Sequence, residues 1–275
     1  MKSINCKGKL IALDTPKVMG ILNVTPDSFY DGGMYKDASS ILTQVEKMLT
    51  DGATFIDVGA YSSRPNAPEV STKEEKQRLL PILELILTKF PQTILSVDTF
   101  RSEVAREAIN IGAAIINDIS AGNLDANMMQ TVGELGVPYS MMHMQGTPKT
   151  MQQNPNYENV VNDILKELSE KVALARTHKI NDLIVDPGFG FGKTIAHNYT
   201  ILQLLQLFES LDCPVLVGVS RKSMIYKVLE TTPQEALNGT TVLNTIALQN
   251  GASILRVHDV KEAVECVKLV EMVGF

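Results

Sequence analysis

Residues 93–119 read TILSVDTFRSEVAREAINIGAAIINDI, and this one stretch carries the plan of the chain. It opens with a short apolar run over 93–99 whose last residues turn polar at Asp98 and Thr99. An amphipathic pattern of helical period follows over 101–112 and stops at Gly112, the residue type that tolerates the left-handed turn after a helix. A second apolar run occupies 114–119 and again carries polar groups near its end, Asn117 and Asp118. Runs rich in Ile, Val and Leu with little polar alternation are what strands buried on both faces require, as in a parallel sheet covered by helices.

The same unit recurs outward in both directions. Strand-like runs lie at 18–24, 55–60, 93–99, 114–119, 138–144, 183–189, 214–220 and 253–259. Helical patterns alternate with them at 37–50, 72–90, 101–112, 157–178, 198–210, 233–250 and 260–273. The helix at 72–90 has Ser71 or Thr72 to cap it and Glu74 or Glu75 in its first turn. Eight strand-then-helix units predict an α/β fold, a (β/α)8 barrel forming a single domain over 1–275, with right-handed crossovers and helices outside. An open doubly wound sheet shares the alternation, but eight units in 275 residues favour closure. Residues 2–13 precede the first unit and are expected to form a small β-hairpin at the barrel bottom.

Composition narrows the function. The chain is 44% hydrophobic with 18 Gly and 12 Pro, which excludes disordered and collagen-like classes and leaves mass for a sizeable core. The 25 basic and 31 acidic residues leave a net charge of −6, and Trp is absent, so neither the basic field nor the stacking platforms of a nucleic-acid binder exist. Cys6, Cys213 and Cys266 have no zinc-like spacing and read as reduced thiols in a cytoplasmic protein. No apolar run reaches membrane-spanning length and the N-terminal residues lack an export signal, so no membrane partner is expected.

Polar and charged residues gather where each apolar run ends: Asn23, Asp57, Asp98, Asn117 with Asp118, His143, Asp186, Ser220 with Arg221 and Lys222, and Arg256 with His258 and Asp259. In a barrel these ends converge on one face, where barrel enzymes place their chemistry. Asp118, Asp259 and Arg221 taken alone read as caps or loop hydrogen bonds. Asp57 lies inside Ile56-Asp57-Val58-Gly59 and reads as a structural carboxylate satisfied by backbone N–H groups. Asp98, at the end of its run, is the better site candidate. Arg256 and His258 are two apart, so both point the same way and form a ready anion site.

The cluster Asp186-Pro-Gly-Phe-Gly-Phe-Gly-Lys193 misses a Walker loop by one position, at Pro187, and a dinucleotide fingerprint by one, at Lys193. It reads as a strand end bearing one carboxylate, then a turn of close backbone approach, with Lys193 belonging to the loop. The loops 25–36 and 61–70 are rich in turn formers and read equally as mobile lids or substrate clamps and as ordinary surface loops.

Met19-Gly-Ile-Leu-Asn-Val-Thr-Pro-Asp-Ser-Phe-Tyr-Asp-Gly-Gly33 closely resembles the first signature of the dihydropteroate synthases, and Ile56 through Pro65 resembles the second. Ser96–Thr99, Ile116–Asp118, Met142–Met144, Asp186–Lys193, Ser220–Ser223 and Arg256–Asp259 continue the match in family order. The resemblance implies a barrel, usually homodimeric, that joins 6-hydroxymethyl-7,8-dihydropterin diphosphate to p-aminobenzoate in folate synthesis, with sulfonamides competing at the p-aminobenzoate site. It implies a pterin set of Asp98, Asn117, Asp186, Lys222 and Arg256. It further implies that Asn23, Arg256 and His258 meet the diphosphate, with Asn23 near a Mg²⁺ ion. Ser63, Arg64, Pro65 and Ser223 would meet p-aminobenzoate, and Asp31 would organise the closed first loop. Asp98, Lys222, Arg256 and His258 form the implied catalytic group. Where the second signature usually reads Gly-Glu-Ser-Thr-Arg-Pro-Gly, this chain has Ala60-Tyr61-Ser62-Ser63-Arg64-Pro65-Asn66. Two alternatives stay open: a pterin-dependent corrinoid methyltransferase barrel, which would lack the diphosphate pair, and a non-catalytic pterin-binding paralogue.

Overall fold

The computed structural model describes residues 2–24, 34–61, 70–147, 150–151 and 155–274. An antiparallel hairpin comes first, β1 (Ser3–Cys6) with β2 (Lys9–Ala12). The strands β3 (Lys17–Asn23), β4 (Phe55–Gly59), β5 (Ile94–Asp98), β6 (Ile115–Asp118), β7 (Tyr139–Met142), β8 (Leu183–Asp186), β9 (Leu216–Val217) and β10 (Ile254–Val257) then form one parallel sheet. Their order is β8-β7-β6-β5-β4-β3-β10-β9. A parallel bridge between Val185 and Val215, with Val185 N–H donating to the Pro214 carbonyl at 3.0 Å, joins the two edges and closes a (β/α)8 barrel.

Around it run α1 (Met34–Thr50), α2 (Thr72–Lys89), α3 (Ser102–Ile111), α4 (Met128–Leu135), α5 (Val160–Thr177), α6 (Ile195–Gln203), α7 (Ser223–Tyr226), α8 (Leu237–Gln249) and α9 (Val260–Val273). Ser71 caps α2, its hydroxyl accepting from the Glu74 N–H at 3.2 Å. Gly112 ends α3 at φ +136, where its N–H reaches the Ala108 and Ile109 carbonyls. Some boundaries differ from the sequence expectation. Helix α4 did not stand out, because eight residues are too few to display a helical period. The pattern at 198–210 resolves into α6 followed by a 3-10 turn over Leu205–Leu211, and that at 233–250 begins only at Leu237. The run 183–189 leaves the sheet after Asp186, because Pro187 has no N–H for the ladder.

Two apolar layers hold this together. Val18, Leu22, Ile56, Val58, Leu95 and Val97 point outward against the helices. Met19, Phe55, Ile94, Ile115, Leu216 and Ile254 point inward at the barrel bottom, packed against Ile4, Cys6, Ile11 and Leu13 of the hairpin segment. Each such side chain, fully buried, stabilises by about 1.5–3 kcal/mol before the entropy of ordering it is counted. The hairpin is therefore a stopper under the barrel. All three cysteines are buried, and burial pushes the Cys6 thiol up to about 12. No helix among the described residues is long and apolar enough to cross a membrane.

A candidate polar site at the rim of the barrel

Alternation along each strand decides what the barrel mouth is made of. Since Met19, Phe55, Ile94, Ile115, Ile184 and Ile254 face the axis at the bottom, residues of the same parity face it higher up. That parity selects Asn23 on β3, Asp57 on β4, Ser96 and Asp98 on β5, Asn117 on β6, Asp186 on β8 and Arg256 on β10, with His258 just beyond. The interior thus changes from apolar to polar along its axis. Register sets Asn23 beside Gly59, Gly59 beside Asp98 and Asp98 beside Asn117, while Asp57 lies one layer deeper beside Ser96.

Arg256 sits at the centre of this constellation. Its Nε donates to Asp57 Oδ2 at 2.6 Å and its Nη2 to Asp98 Oδ2 at 2.8 Å. Burial opposes the guanidinium charge, but Asp57 and Asp98 outweigh it and hold the arginine above its ordinary pKa. Burial raises the Asp98 carboxyl, against the pull of Arg256 and with a further push from Asp57. Two carboxylates sharing one guanidinium leave an excess of negative charge. Asp57 corrects the sequence reading. It is fully buried, and its partners are side chains rather than backbone: besides Arg256, Asn117 Nδ2 donates to Oδ2 at 3.0 Å and Ser96 Oγ to Oδ1 at 2.5 Å. It belongs to the site. A carboxylate in mid-strand with inward parity demands a buried cation, and that was the available signal.

A second group gathers opposite. Asp186 ends β8, and its Oδ1 accepts from the Gly188 N–H at 2.7 Å. Gly188 has φ +73, and a Cβ there would lie 1.9 Å from the His143 carbonyl oxygen, so only glycine fits. Lys222 precedes α7 and sends Nζ to the Phe189 carbonyl at 2.5 Å and over the Phe191 ring at 4.8 Å. Burial lowers Lys222 to about 8 against the attraction of Asp186, and burial likewise raises Asp186 against that of Lys222. Gly218 lies between the groups: a Cβ there would be 3.9 Å from both Lys222 Nζ and Arg256 Cβ. Lys193 belongs to the loop as expected, its Nζ donating to the Phe191 carbonyl at 2.9 Å and lying 3.0 Å from His143 Nδ1.

Arg256 and His258 leave the strand on one face but take different partners. Ser220 Oγ accepts from the His258 backbone N–H at 3.2 Å and lies 3.0 Å from Nδ1, so it holds His258 at both its backbone and its ring. The ring is exposed at the rim, yet desolvation by the surrounding protein and the charge of Arg256 lower it to about 4. Arg256, by contrast, is already engaged by two carboxylates, so the two do not form one preassembled anion fork. Asn23 stands exposed at the end of β3, and Ser223 opens α7. Arg221 pairs with Asp259 through two 2.8 Å bonds, and Asp118 accepts from Tyr139, Ser120 and Gly122. These three are loop anchors, as read from the sequence. Ser63, Arg64, Pro65, Asn66 and Asp31 lie outside the described residues, as do most of the two loops that carry them. Tyr61 is described. Its ring meets Phe100 edge-on at 5.1 Å and lies under the Arg101 guanidinium at 5.6 Å, while Arg101 itself pairs with the Glu75 carboxylate.

Among the described residues, no group of three His, Cys, Asp or Glu is arranged to hold a metal. The rim thus gathers the acceptors Asp57, Asp98 and Asp186, the amide of Asn117 and the cations Lys222 and Arg256, a set with several hydrogen-bonding edges. Residues 19–258 match the family described as pterin binding enzyme. The dihydropteroate synthase of Escherichia coli K12 is 45% identical over 267 residues, covering 96% of this chain and 94% of the relative. The structure of Yersinia pestis dihydropteroate synthase in complex with a sulfonamide drug is similar at a TM-score of 0.92 and 42% identity, covering 99% of both chains. That of Xanthomonas albilineans dihydropteroate synthase in complex with 7,8-dihydropteroate is similar at a TM-score of 0.88 and 35% identity, covering 99% of this chain and 98% of that one.

Proposed function

The chain belongs to the dihydropteroate synthases, within the pterin-binding enzyme family, and from that premise we propose how its rim residues divide the reaction. The enzyme joins 6-hydroxymethyl-7,8-dihydropterin diphosphate to p-aminobenzoate, giving 7,8-dihydropteroate and diphosphate. The observation that carries the assignment of roles is the inward ladder of Asp57, Asp98, Asn117, Asp186, Lys222 and Arg256 above an apolar floor.

Asp186 accepts from the N3–H and 2-amino group of the pterin, a pair of donors that one carboxylate matches. Lys222 donates on the neighbouring edge, to the ring carbonyl or N5. Asn117 faces the remaining edge, and Asp98 stands by the ring as an acceptor. The bond between the pterin methylene and the diphosphate oxygen breaks with both electrons leaving on the diphosphate. The methylene cation is shared with the ring and stabilised by Asp98. The lone pair of the neutral aryl amine then forms the new C–N bond, and the amine proton passes to water or diphosphate, so no strong protein base is required. Arg256 and the His258 imidazole face the departing diphosphate. Ser63, Arg64, Pro65 and Ser223 receive p-aminobenzoate, with Asp31 organising closure over it.

Asn23 fits a magnesium ion carried in by the diphosphate rather than a resident metal. It offers one exposed amide oxygen, and Mg²⁺ keeps waters and substrate phosphate oxygens for its other positions. When bound there, the ion neutralises leaving-group charge. The chain acts as one cytoplasmic domain and as a homodimer. A groove of about 700 Å³ between α8 and α9, flanked by the exposed Leu269 and Val273, is the surface that supports a second copy. The test is p-aminobenzoate-dependent diphosphate release by folded protein supplied with the pterin diphosphate and Mg²⁺. Turnover is expected in wild type and is lost in Asp186→Ala. Full turnover in that variant would refute the assignment of the pterin pocket.

A further inference from the structure

Glycines alternate along the turn after β8 and leave it little stiffness of its own. Gly188, Gly190 and Gly192 take φ of +73, +80 and +61, and ordering glycine costs more entropy than ordering any other residue. The turn is nonetheless packed hard against the segment after β7. A Cβ at Gly188 would strike the His143 carbonyl, and one at Gly192 would lie 2.8 Å from the Gln145 carbonyl oxygen. Tyr157 donates to the Gly192 carbonyl and Asn198 accepts from the Gly190 N–H, each at 2.7 Å. Lys193 ties the turn to the β7 segment. Its side chain folds back, only 4% exposed, and Nζ reaches the Phe191 carbonyl at 2.9 Å, the His143 carbonyl at 3.3 Å and His143 Nδ1 at 3.0 Å. On the far side of that imidazole, Nε2 lies 3.3 Å from Glu167 Oε2 on α5. A carboxylate only accepts, so Nε2 is the donor there. Burial lowers the ring's pKa and keeps it neutral, which turns the Nδ1 lone pair toward Lys193. The three protons of the ammonium thus meet three acceptors. Burial opposes its charge, and Asp186 favours it.

The consequence falls on Phe191. Its N–H donates to the Gly188 carbonyl at 3.1 Å and its carbonyl accepts from Lys193, so both of its backbone groups are fixed and its ring is aimed. That ring lies 4.8 Å from Lys222 Nζ, and the same nitrogen donates to the Phe189 carbonyl. Phe189 is anchored by its own fully buried side chain, whereas Phe191 is only partly buried, against Met142, Met144 and Met151. We propose that Lys193, backed by His143 and Glu167, is a positioning residue that sets the Phe191 ring as the face against which Lys222 is aimed. This rests on the reading of Lys222 as a substrate-binding group given above. A cation on an aromatic face is worth roughly two- to thirtyfold in an equilibrium, and that range bounds what Lys193 contributes through Phe191.

The experiment is a double-mutant cycle on kcat/KM for the pterin diphosphate, read as diphosphate release by the full chain at saturating p-aminobenzoate and Mg²⁺. Lys193→Met and Phe191→Leu are each expected to lower it about tenfold. Because both remove the same aromatic face from Lys222, the double variant should lie within about twofold of either single one. A merely structural Lys193 would act independently of Phe191, and the two losses would multiply to about a hundredfold. Multiplied losses, or a folded Lys193→Met protein with wild-type kcat/KM, would overturn the proposal. Should Lys193→Met not fold, the partly exposed Glu167 decides. Glu167→Ala removes the acceptor of His143 and is expected to lower kcat/KM several-fold, whereas Glu167→Gln retains an acceptor and should stay within about twofold of wild type. Equal values in those two variants would overturn the proposal. Absence of turnover in wild type would instead overturn the assignment of roles at the rim.

Discussion

Replacing Arg256 by Met tests whether the rim is held by charge. The guanidinium neutralises Asp57, which is fully buried, and Asp98, whose side chain is 20% exposed. Removing one partner of a buried ion pair costs about 3–5 kcal/mol, because the charge left behind has lost its water. Asp98 reaches solvent in part and recovers some hydration, so the lower end, about 3 kcal/mol, applies. For a chain of this size that is a fall in melting temperature of roughly 6–12 °C. The cost must also depend on pH. Burial already raises the Asp98 carboxyl, and removing Arg256 takes away the charge that opposes this rise, so the folded state binds the extra proton and its stability falls as pH rises through that window. Urea unfolding of wild type and Arg256→Met at about pH 5 and about pH 8 should show the larger gap at the higher pH. An equal gap at both, or one under about 1 kcal/mol, would refute a rim built on compensated buried charge.

Gly188→Ala should destabilise by about 3 kcal/mol or more in thermal unfolding, because φ +73 and a backbone oxygen at 1.9 Å both oppose a Cβ. Gly190→Ala, whose Cβ would meet only Lys222 Cδ at 3.3 Å, should cost less. Since Lys222 is lowered to about 8, it is charged below that pH in the free enzyme, and kcat/KM for the pterin diphosphate should decline above it. Lys222→Arg should move that alkaline limb out of range in a pH–rate profile. Asn23→Ala should leave stability within about 0.5 kcal/mol while raising the Mg²⁺ concentration needed for half-maximal activity several-fold. Leu269→Glu, on an exposed face of α9, should shift the protein to monomer in light scattering without altering pterin affinity.

The barrel was legible because parallel strands buried on both faces must be written as Ile-, Val- and Leu-rich runs, and 93–119 displays two of them around one helix. The candidate rim residues were legible for a related reason. Asp98, Asn117, Asp186 and Arg256 interrupt such runs at their ends, where a polar group has an exit toward the mouth. Partnership was not legible. Arg256 and Asp57 are 199 positions apart, and nothing local to Ile56-Asp57-Val58 says whether that carboxylate meets a backbone amide or a guanidinium. Inward parity, carried from β4 across to β10, would have placed the two together. The spacing of Arg256 and His258 correctly gave a shared face, but the carboxylates that capture Arg256 come from other strands. Ser220 as the partner of His258 likewise depends on β9 lying beside β10.

The stopper at the barrel bottom has a kinetic consequence. With Ile4, Cys6, Ile11 and Leu13 seated beneath Met19 and Phe55, the interior is closed from below among the described residues and meets solvent at the polar rim. On the pterin placement proposed above, reactants and products pass the same rim and the pterin takes the inner berth, toward Asn117 and Asp57. That placement predicts a queue, with the pterin diphosphate entering before p-aminobenzoate and the joined product leaving by the same rim.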